Sequence, residues 1–218
     1  MNSPTGHRAQ TPGEEIANAV SHGMALLLAL AALPVLVVRA AGEGSAADIV
    51  AASLYGASMI LLYGVSTLYH ALPAGRGKAW FQRLDHAAIY VFIAGSYMPF
   101  LLGALRGGWG WSLFGVVWGA AVLGVVAKLF SLLQHPVWST ALYLAMGWVA
   151  LVAVVPGLER LAPAGLAWLV AGGLAYSAGA VVFMFDNRVR YAHCVWHLFV
   201  VAGSACHFVA ALEYARGL

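Results

Sequence analysis

Apolar residues fill seven long stretches of the chain, and short turns with polar residues, glycine or proline separate one stretch from the next. Each stretch is close to the ~20 residues that an α-helix needs to cross the hydrocarbon core of a bilayer. The pattern therefore predicts an all-α membrane protein, a bundle of seven transmembrane helices without a soluble domain. The predicted spans are residues 17–39, 48–70, 84–105, 111–130, 138–156, 164–184 and 192–213.

The composition supports this prediction and excludes a soluble protein. Of the 218 residues, 62% are hydrophobic and only 9% are charged, whereas a soluble globular domain carries about 25% charged residues. The formal charge of +3 is small and spread along the chain, so we expect no nucleic-acid partner. We expect a multi-pass protein of the plasma (inner) membrane whose surroundings are membrane lipids. The sequence leaves the oligomeric state open.

The ends of the spans predict how the chain is arranged across the membrane. Residues 1–14 are polar and are predicted to be a flexible cytoplasmic tail, and residues 15–218 are predicted to form the seven-helix transmembrane domain. The first apolar stretch is long enough to stay in the bilayer, so we expect no cleaved signal peptide. Seven Lys and Arg residues lie at span ends on the N-terminal side and four on the other side. This bias predicts a cytoplasmic N-terminus and, with seven spans, a C-terminus outside.

Polar side chains inside the predicted spans gather at one end of the bundle. Ser66 and His70 end the second span, Asp85 begins the third, and His193 and His197 begin the seventh. With alternating spans, all five lie on the predicted cytoplasmic side. Ionisable residues in hydrocarbon are costly and usually mark a functional site. The same end also receives Glu15, Asn18, His22 and His86.

The spacing of these residues fits metal binding. His193 and His197 are four positions apart, so they share a helical face at a separation of about 6 Å. Together with His70 they offer three imidazoles, a set that leaves one position of a zinc ion open for water or substrate. Asp85 can be a fourth ligand or the base that takes a proton from water. Ser66 can orient a ligand or donate to a developing oxyanion.

Each of these residues also has an ordinary structural interpretation. A histidine in a helix is most often packed and hydrogen-bonded. Asp85 can pair with Arg83 or His86, and Ser66 can donate to the carbonyl four residues earlier in its helix. Two further residues, Glu15 and Asn18, can cap the first turn of a helix instead.

Four motifs occur in order along the chain and together resemble the hemolysin III family, the bacterial branch of the progestin and adiponectin receptor (PAQR) family. The resemblance covers essentially the whole chain. It implies a seven-helix bundle with a cytoplasmic N-terminus and one zinc ion per chain near the cytoplasmic leaflet. The motifs are E-x-x-N-x-x-S-H-G (Glu15 to Gly23), S-x-x-x-H (Ser66 to His70), L-D-H (Leu84 to His86) and H-x-x-x-H (His193 to His197).

The resemblance also implies roles for the residues of these motifs. The zinc ligands are His70, His193 and His197, with Asp85 as the partner of the attacking water and Ser66 as a donor beside it. The wider superfamily includes alkaline ceramidases, which implies zinc-dependent hydrolysis of an amide bond in a lipid substrate. We therefore expect a zinc-dependent hydrolase with Asp85 and Ser66 as its catalytic residues.

Other functions remain to be weighed against a hydrolase. A non-catalytic receptor or membrane-homeostasis protein, in which a structural zinc ion holds helices together, would need the same ligands. A pore-forming cytolysin fits poorly, because seven apolar helices without a charged lumen do not line an aqueous channel. A retinal protein needs a Lys within a span, whereas Lys128 lies at a span end. A b-type haem protein needs histidines that face each other across two helices, and no such pair is evident.

Overall fold

The protein is an all-helical bundle. A computed structural model describes residues 8–216, apart from the side chain of Glu43. Within this range the chain forms eight α-helices and one 3₁₀ segment and no strand. The helices are α1 (Pro12–Glu43), α2 (Ala46–Ala71), α3 (Arg76–Leu102), α4 (Gly108–Leu129), α5 (Pro136–Gly147), α6 (Val154–Arg160), α7 (Pro163–Phe183) and α8 (Ala192–Tyr214), with the 3₁₀ segment at Trp148–Ala153.

Seven helical segments in the described residues are long and apolar enough to cross a membrane, which confirms the predicted bundle. Six of them are single helices. The fifth, Pro136–Arg160, consists of α5, the 3₁₀ segment and α6. The side of the membrane on which each terminus lies stays a prediction.

Two spans begin at least about five residues earlier than predicted, because polar residues at their starts are helical. The first begins at Pro12 instead of residue 17, since Thr11 and Glu14 form a capping box around the proline. The third begins at Arg76 instead of residue 84. Of the predicted tail, residues 1–7 lie outside the described residues, residues 8–11 are non-helical, and residues 12–14 are the first turn of α1. The division into tail and bundle stays a prediction.

Close packing joins most of the helices. Helices α1 to α4 pack pairwise in chain order, α7 packs along α8, and α8 also contacts α1 and α3. Gly203 of α8 lets the ring of Tyr176 lie against the α8 backbone, since a Cβ at Gly203 would be 2.6 Å from that ring. Small residues at helix contacts give the close approach that is common in membrane bundles.

The fifth span packs much more loosely than its neighbours. Helix α5 makes few contacts with α3 and α7, and its axis is interrupted at the 3₁₀ segment. A cavity of about 1590 Å³ lies between this span and the rest of the bundle. The cavity extends along the bundle from the end where α1, α3 and α8 begin to the end where α4 and α7 begin. We refer to the first of these two ends as the site end.

Candidate metal centre

Three buried imidazoles converge at the site end. His70 lies in the last turn of α2, and His193 and His197 lie in the first turns of α8. One ring nitrogen from each can be chosen so that all three atoms lie within 4.8 Å of one another. The ring centroids are 4.7 to 5.2 Å apart, and the rings meet edge to face. The structure thus brings together the three histidines that the sequence predicted as ligands.

Carboxylates fix the orientation of two of these rings. The Nδ1 atom of His70 is 2.8 Å from a carboxylate oxygen of Glu15, and that of His193 is 3.0 Å from a carboxylate oxygen of Asp186. An ionised carboxylate only accepts hydrogen bonds, so Nδ1 of each ring carries the proton and donates it. The lone pair of each ring is therefore on Nε2.

A serine fixes the third ring in the same way. The Ser21 hydroxyl donates to the Asn18 carbonyl at 2.9 Å, and its oxygen lies 3.1 Å from Nδ1 of His197. Because the Ser21 proton is already used, His197 Nδ1–H is the donor in this contact. All three rings thus present an unprotonated Nε2 to the centre of the cluster.

These three Nε2 atoms fit a bound metal ion. Each is buried and has no hydrogen-bond partner in the described part of the chain. Buried acceptors without a partner cost free energy, and a single cation would satisfy all three. Imidazole ligands whose other nitrogen donates to a carboxylate or another oxygen are typical of zinc sites, and the charges of Glu15 and Asp186 offset part of the ion's charge. The donor set therefore fits zinc.

Asp85 and Ser66 lie beside this group without belonging to it. Asp85 is 3% exposed and lies near Ser66 and His193, with which it shares the cavity wall. The Ser66 oxygen is 2.7 Å from Nδ1 of His22, whose ring stacks on His197 with centroids 3.5 Å apart. His22 and Ser66 thus form a hydrogen-bonded pair along the metal centre, and Asp85 lies beside this pair.

Two acidic residues at the start of α1 connect the cluster to the rest of the site end. Glu15 bridges the ammonium of Lys78 at 2.9 Å and the ring of His70. Glu14 accepts two hydrogen bonds from Arg8 and one from the backbone N–H of Tyr191. This salt bridge also raises the pKa of the Arg8 guanidinium above its ordinary value. Tyr191 directly precedes α8 and has a left-handed backbone (φ 59°). Its hydrogen bond to Glu14 therefore fixes the start of the helix that carries His193 and His197.

The cluster opens onto the cavity. His193, Asp85 and Ser66 lie in its wall, as does His22. Farther from the metal centre the wall is mostly apolar. Residues in that part include Phe100, Leu105, Leu113, Leu161, Leu166 and Leu169.

The structure shows partners that the sequence did not single out. Asp186 lies in the turn before α8, seven positions from His193, and no helical periodicity connects the two. The sequence analysis treated Glu15 and Asn18 as possible caps, whereas Glu15 pairs with His70 and the Asn18 carbonyl accepts from Ser21. Ser21 belongs to the first motif, whose spacing of three to four places it on the same face of α1 as Asn18. That spacing could have identified Ser21 as a residue of the site.

The contact between Asp186 and His193 carries a testable prediction. We expect Asp186→Ala to weaken zinc binding by about 10- to 100-fold, because the His193 ring loses the acceptor that fixes its tautomer and orientation. Competition with a chromophoric chelator measures the affinity. Asn187→Ala removes the neighbouring exposed amide and should leave the affinity unchanged. Equal affinity in Asp186→Ala and the wild type would contradict this role.

Comparisons with known proteins agree with the motifs. The sequence profile described as "Haemolysin-III related" matches residues 10–208. The chain is 43% identical over 201 residues to "Hemolysin-3" of Bacillus cereus, covering 92% of this chain and 91% of that protein. It is 44% identical over 201 residues to "Hemolysin-3 homolog" of Bacillus subtilis (strain 168), covering 92% and 94%. It is also 32% identical over 174 residues to the human "Monocyte to macrophage differentiation factor", covering 76% and 70%.

The profile matches most of the chain, and both Bacillus relatives are similar over most of their length. These findings confirm the resemblance to the haemolysin III family. The mammalian relative agrees with the PAQR connection. The seven apolar helices and these relatives together make the chain a multi-pass membrane protein that belongs to the haemolysin III family.

Proposed function

We propose that the protein is a zinc-dependent hydrolase that cleaves amide bonds in membrane lipids. One observation carries this proposal. Three buried Nε2 atoms without partners lie beside a buried carboxylate at the wall of a large, mostly apolar cavity. A purely structural zinc site usually has four protein ligands, whereas this cluster has three imidazoles and an acid that stands beside them.

The side chains of the site have distinct tasks in such a reaction. When bound by His70, His193 and His197, zinc would lower the pKa of a water molecule to about 7 and polarise the carbonyl of the substrate. The Asp85 carboxylate takes the proton from the attacking water and delivers it to the leaving amine. We expect Ser66 to donate to Asp85 during the reaction and so to hold the carboxylate in place. His22 fixes Ser66 through its Nδ1–H.

The cavity supports a lipid as the substrate. Its volume of about 1590 Å³ exceeds the ~300–1,000 Å³ of ordinary small-molecule pockets. An acyl chain would lie along its apolar part, with the amide at the site end. The loosely packed fifth span is the place where we expect a lipid to enter from the bilayer, because the other spans pack closely against their neighbours.

A non-catalytic role is the second candidate, and it rests on the connectivity of the site. The three ligands come from α2 and α8, and the residues that orient them include Glu15 and Ser21 of α1. A zinc ion would therefore join three helices, which is enough to explain the ligands in a lipid sensor or receptor-like protein.

Metal removal separates the two candidates. We expect purified protein in detergent to hydrolyse a fluorogenic ceramide or N-palmitoylglycine, to lose this activity on dialysis against a chelator, and to regain it with one equivalent of zinc. Chromatography of the released acid and amine identifies the cleaved bond. Bound zinc without turnover of either lipid would contradict the hydrolase and favour the sensor. A chelated protein that keeps its full activity would contradict a zinc-dependent reaction.

A further inference from the structure

Lys128 is a buried cation that the metal centre does not use. It lies in the last turn of α4, is 7% exposed and faces the cavity at the site end. Its ammonium donates to the Leu133 carbonyl at 3.0 Å and to the Ser139 hydroxyl at 2.5 Å. An ammonium has three N–H donors, so one donor is left over after these two contacts.

No acidic side chain among the described residues forms an ion pair with Lys128. Three acids face the same part of the cavity: Glu15 pairs with Lys78 and His70, Asp186 pairs with His193, and Asp85 forms no ion pair with Lys128. A buried charge is costly and normally has a partner of opposite charge. The hydrogen bonds to Leu133 and Ser139 explain the position of the ammonium and leave its charge unbalanced.

Lys128 and the metal centre face one cavity at the same end of the bundle. The ammonium contacts Ser139 of α5, and Tyr143, one helical turn farther along α5, donates to the His86 carbonyl at 2.9 Å. Lys128, His86 and His193 line the same cavity. A ligand that extends along the cavity wall from the metal centre can therefore reach Lys128.

We propose that Lys128 binds the anionic group, a carboxylate or a phosphodiester, of an acyl amide lipid whose amide lies at the metal centre. This inference rests on the proposed function and names its substrate class: amides with a negative charge on the amine side, in preference to neutral ceramides. The acyl chain follows the apolar part of the cavity and the charged group stays at the site end. Ser139 acts as a positioning residue, because its own proton is donated to the His135 carbonyl.

Lipid binding, which needs no turnover, tests this inference. Titration by tryptophan fluorescence in nanodiscs of neutral lipid compares four probes that share a palmitoyl chain. N-Palmitoylglycine carries a carboxylate, N-palmitoyl phosphatidylethanolamine carries a phosphodiester, and N-palmitoylethanolamine and palmitoyl ceramide are neutral. We expect at least one anionic probe to bind about tenfold or more tightly than the neutral probes, and which one does so distinguishes carboxylate from phosphodiester.

Variants assign the preference to Lys128. Lys128→Met should bind anionic and neutral probes equally, and Lys128→Arg should keep the preference. Arg188→Gln removes a cation from the exposed turn at the same end and should also keep it. Equal binding of all probes by the wild type would overturn the inference, and so would an undiminished preference in Lys128→Met. A preference that depends on Lys128 in a protein without hydrolytic activity would uphold the binding site and contradict the proposed function.

A second measurement on the wild type covers the case that Lys128→Met does not fold. Carbodiimide activates the carboxylate of bound N-palmitoylglycine, and an amine in contact with it then forms an amide bond with loss of the activating group as a urea. Peptide mapping by mass spectrometry should find the palmitoylglycyl adduct on Lys128. Adducts found only on other lysines, such as Lys78, would overturn the inference.

Discussion

Replacing His197 with alanine is expected to reduce bound zinc from about one ion per chain to a small fraction of that value. His197 is 0% exposed and its Nε2 has no partner within the described residues, so the substitution removes one of the three converging ligands. Loss of a residue that only orients a ligand costs about 10- to 100-fold in metal affinity, and loss of the ligand itself should cost more. Elemental mass spectrometry of purified protein measures the metal content.

His207→Ala is the matched control for this variant. His207 lies on the same helix and is also buried from solvent in part, and its Nε2 contacts the Leu169 carbonyl at 3.2 Å, away from the cluster. This variant should keep its full metal content. Full zinc occupancy in His197→Ala, with His70 and His193 intact, would refute the assignment of the three ligands.

Asp85→Asn is expected to keep the metal and lose hydrolysis. The substitution preserves size and leaves the three imidazoles untouched, but an amide cannot accept a proton from water. General acid–base catalysis contributes about 10²- to 10⁴-fold, so turnover should fall by at least about 100-fold. Zinc content and hydrolysis of the lipid amide are to be measured on the same samples.

Asp48→Asn serves as the control for Asp85→Asn. Asp48 lies in the first turn of α2, at the opposite end of that helix from His70, where it caps the helix at Ser45. Asp48→Asn should leave both the zinc content and the rate of hydrolysis unchanged. Hydrolysis at the wild-type rate by Asp85→Asn would contradict the role of Asp85 as the proton acceptor.

The hydrophobic pattern was sufficient to predict the seven spans, because each segment must satisfy its backbone hydrogen bonds within the bilayer as a helix. The same pattern could not predict the early start of the third span at Arg76, where polar residues extend the helix beyond the apolar stretch. It also missed the 3₁₀ segment of the fifth span, since Trp148–Ala153 is as apolar as the helical turns around it. A hydrophobic pattern predicts which segments lie in the bilayer, but it does not distinguish an α-helix from a short 3₁₀ segment.

The three histidines could be found from the sequence because two share a helical face and alternating topology brings the third to the same end. The residues that orient them were harder to find. Asp186 contacts His193 because the turn before α8 brings the two residues together. Ser21 can accept from His197 because its own proton is donated to a backbone carbonyl. The pairing of Lys128 with Ser139 depends on how α4 and α5 meet, which no spacing along the chain encodes.

We infer that three imidazoles hold one zinc ion at the site end of the bundle. X-ray absorption at the zinc edge, on protein purified without added metal, tests it directly. We predict about one zinc per chain with three nitrogen neighbours at about 2.0–2.1 Å that show imidazole scattering, and at least one oxygen neighbour. A spectrum without zinc, or one with sulfur neighbours or fewer than two imidazoles, would contradict the account.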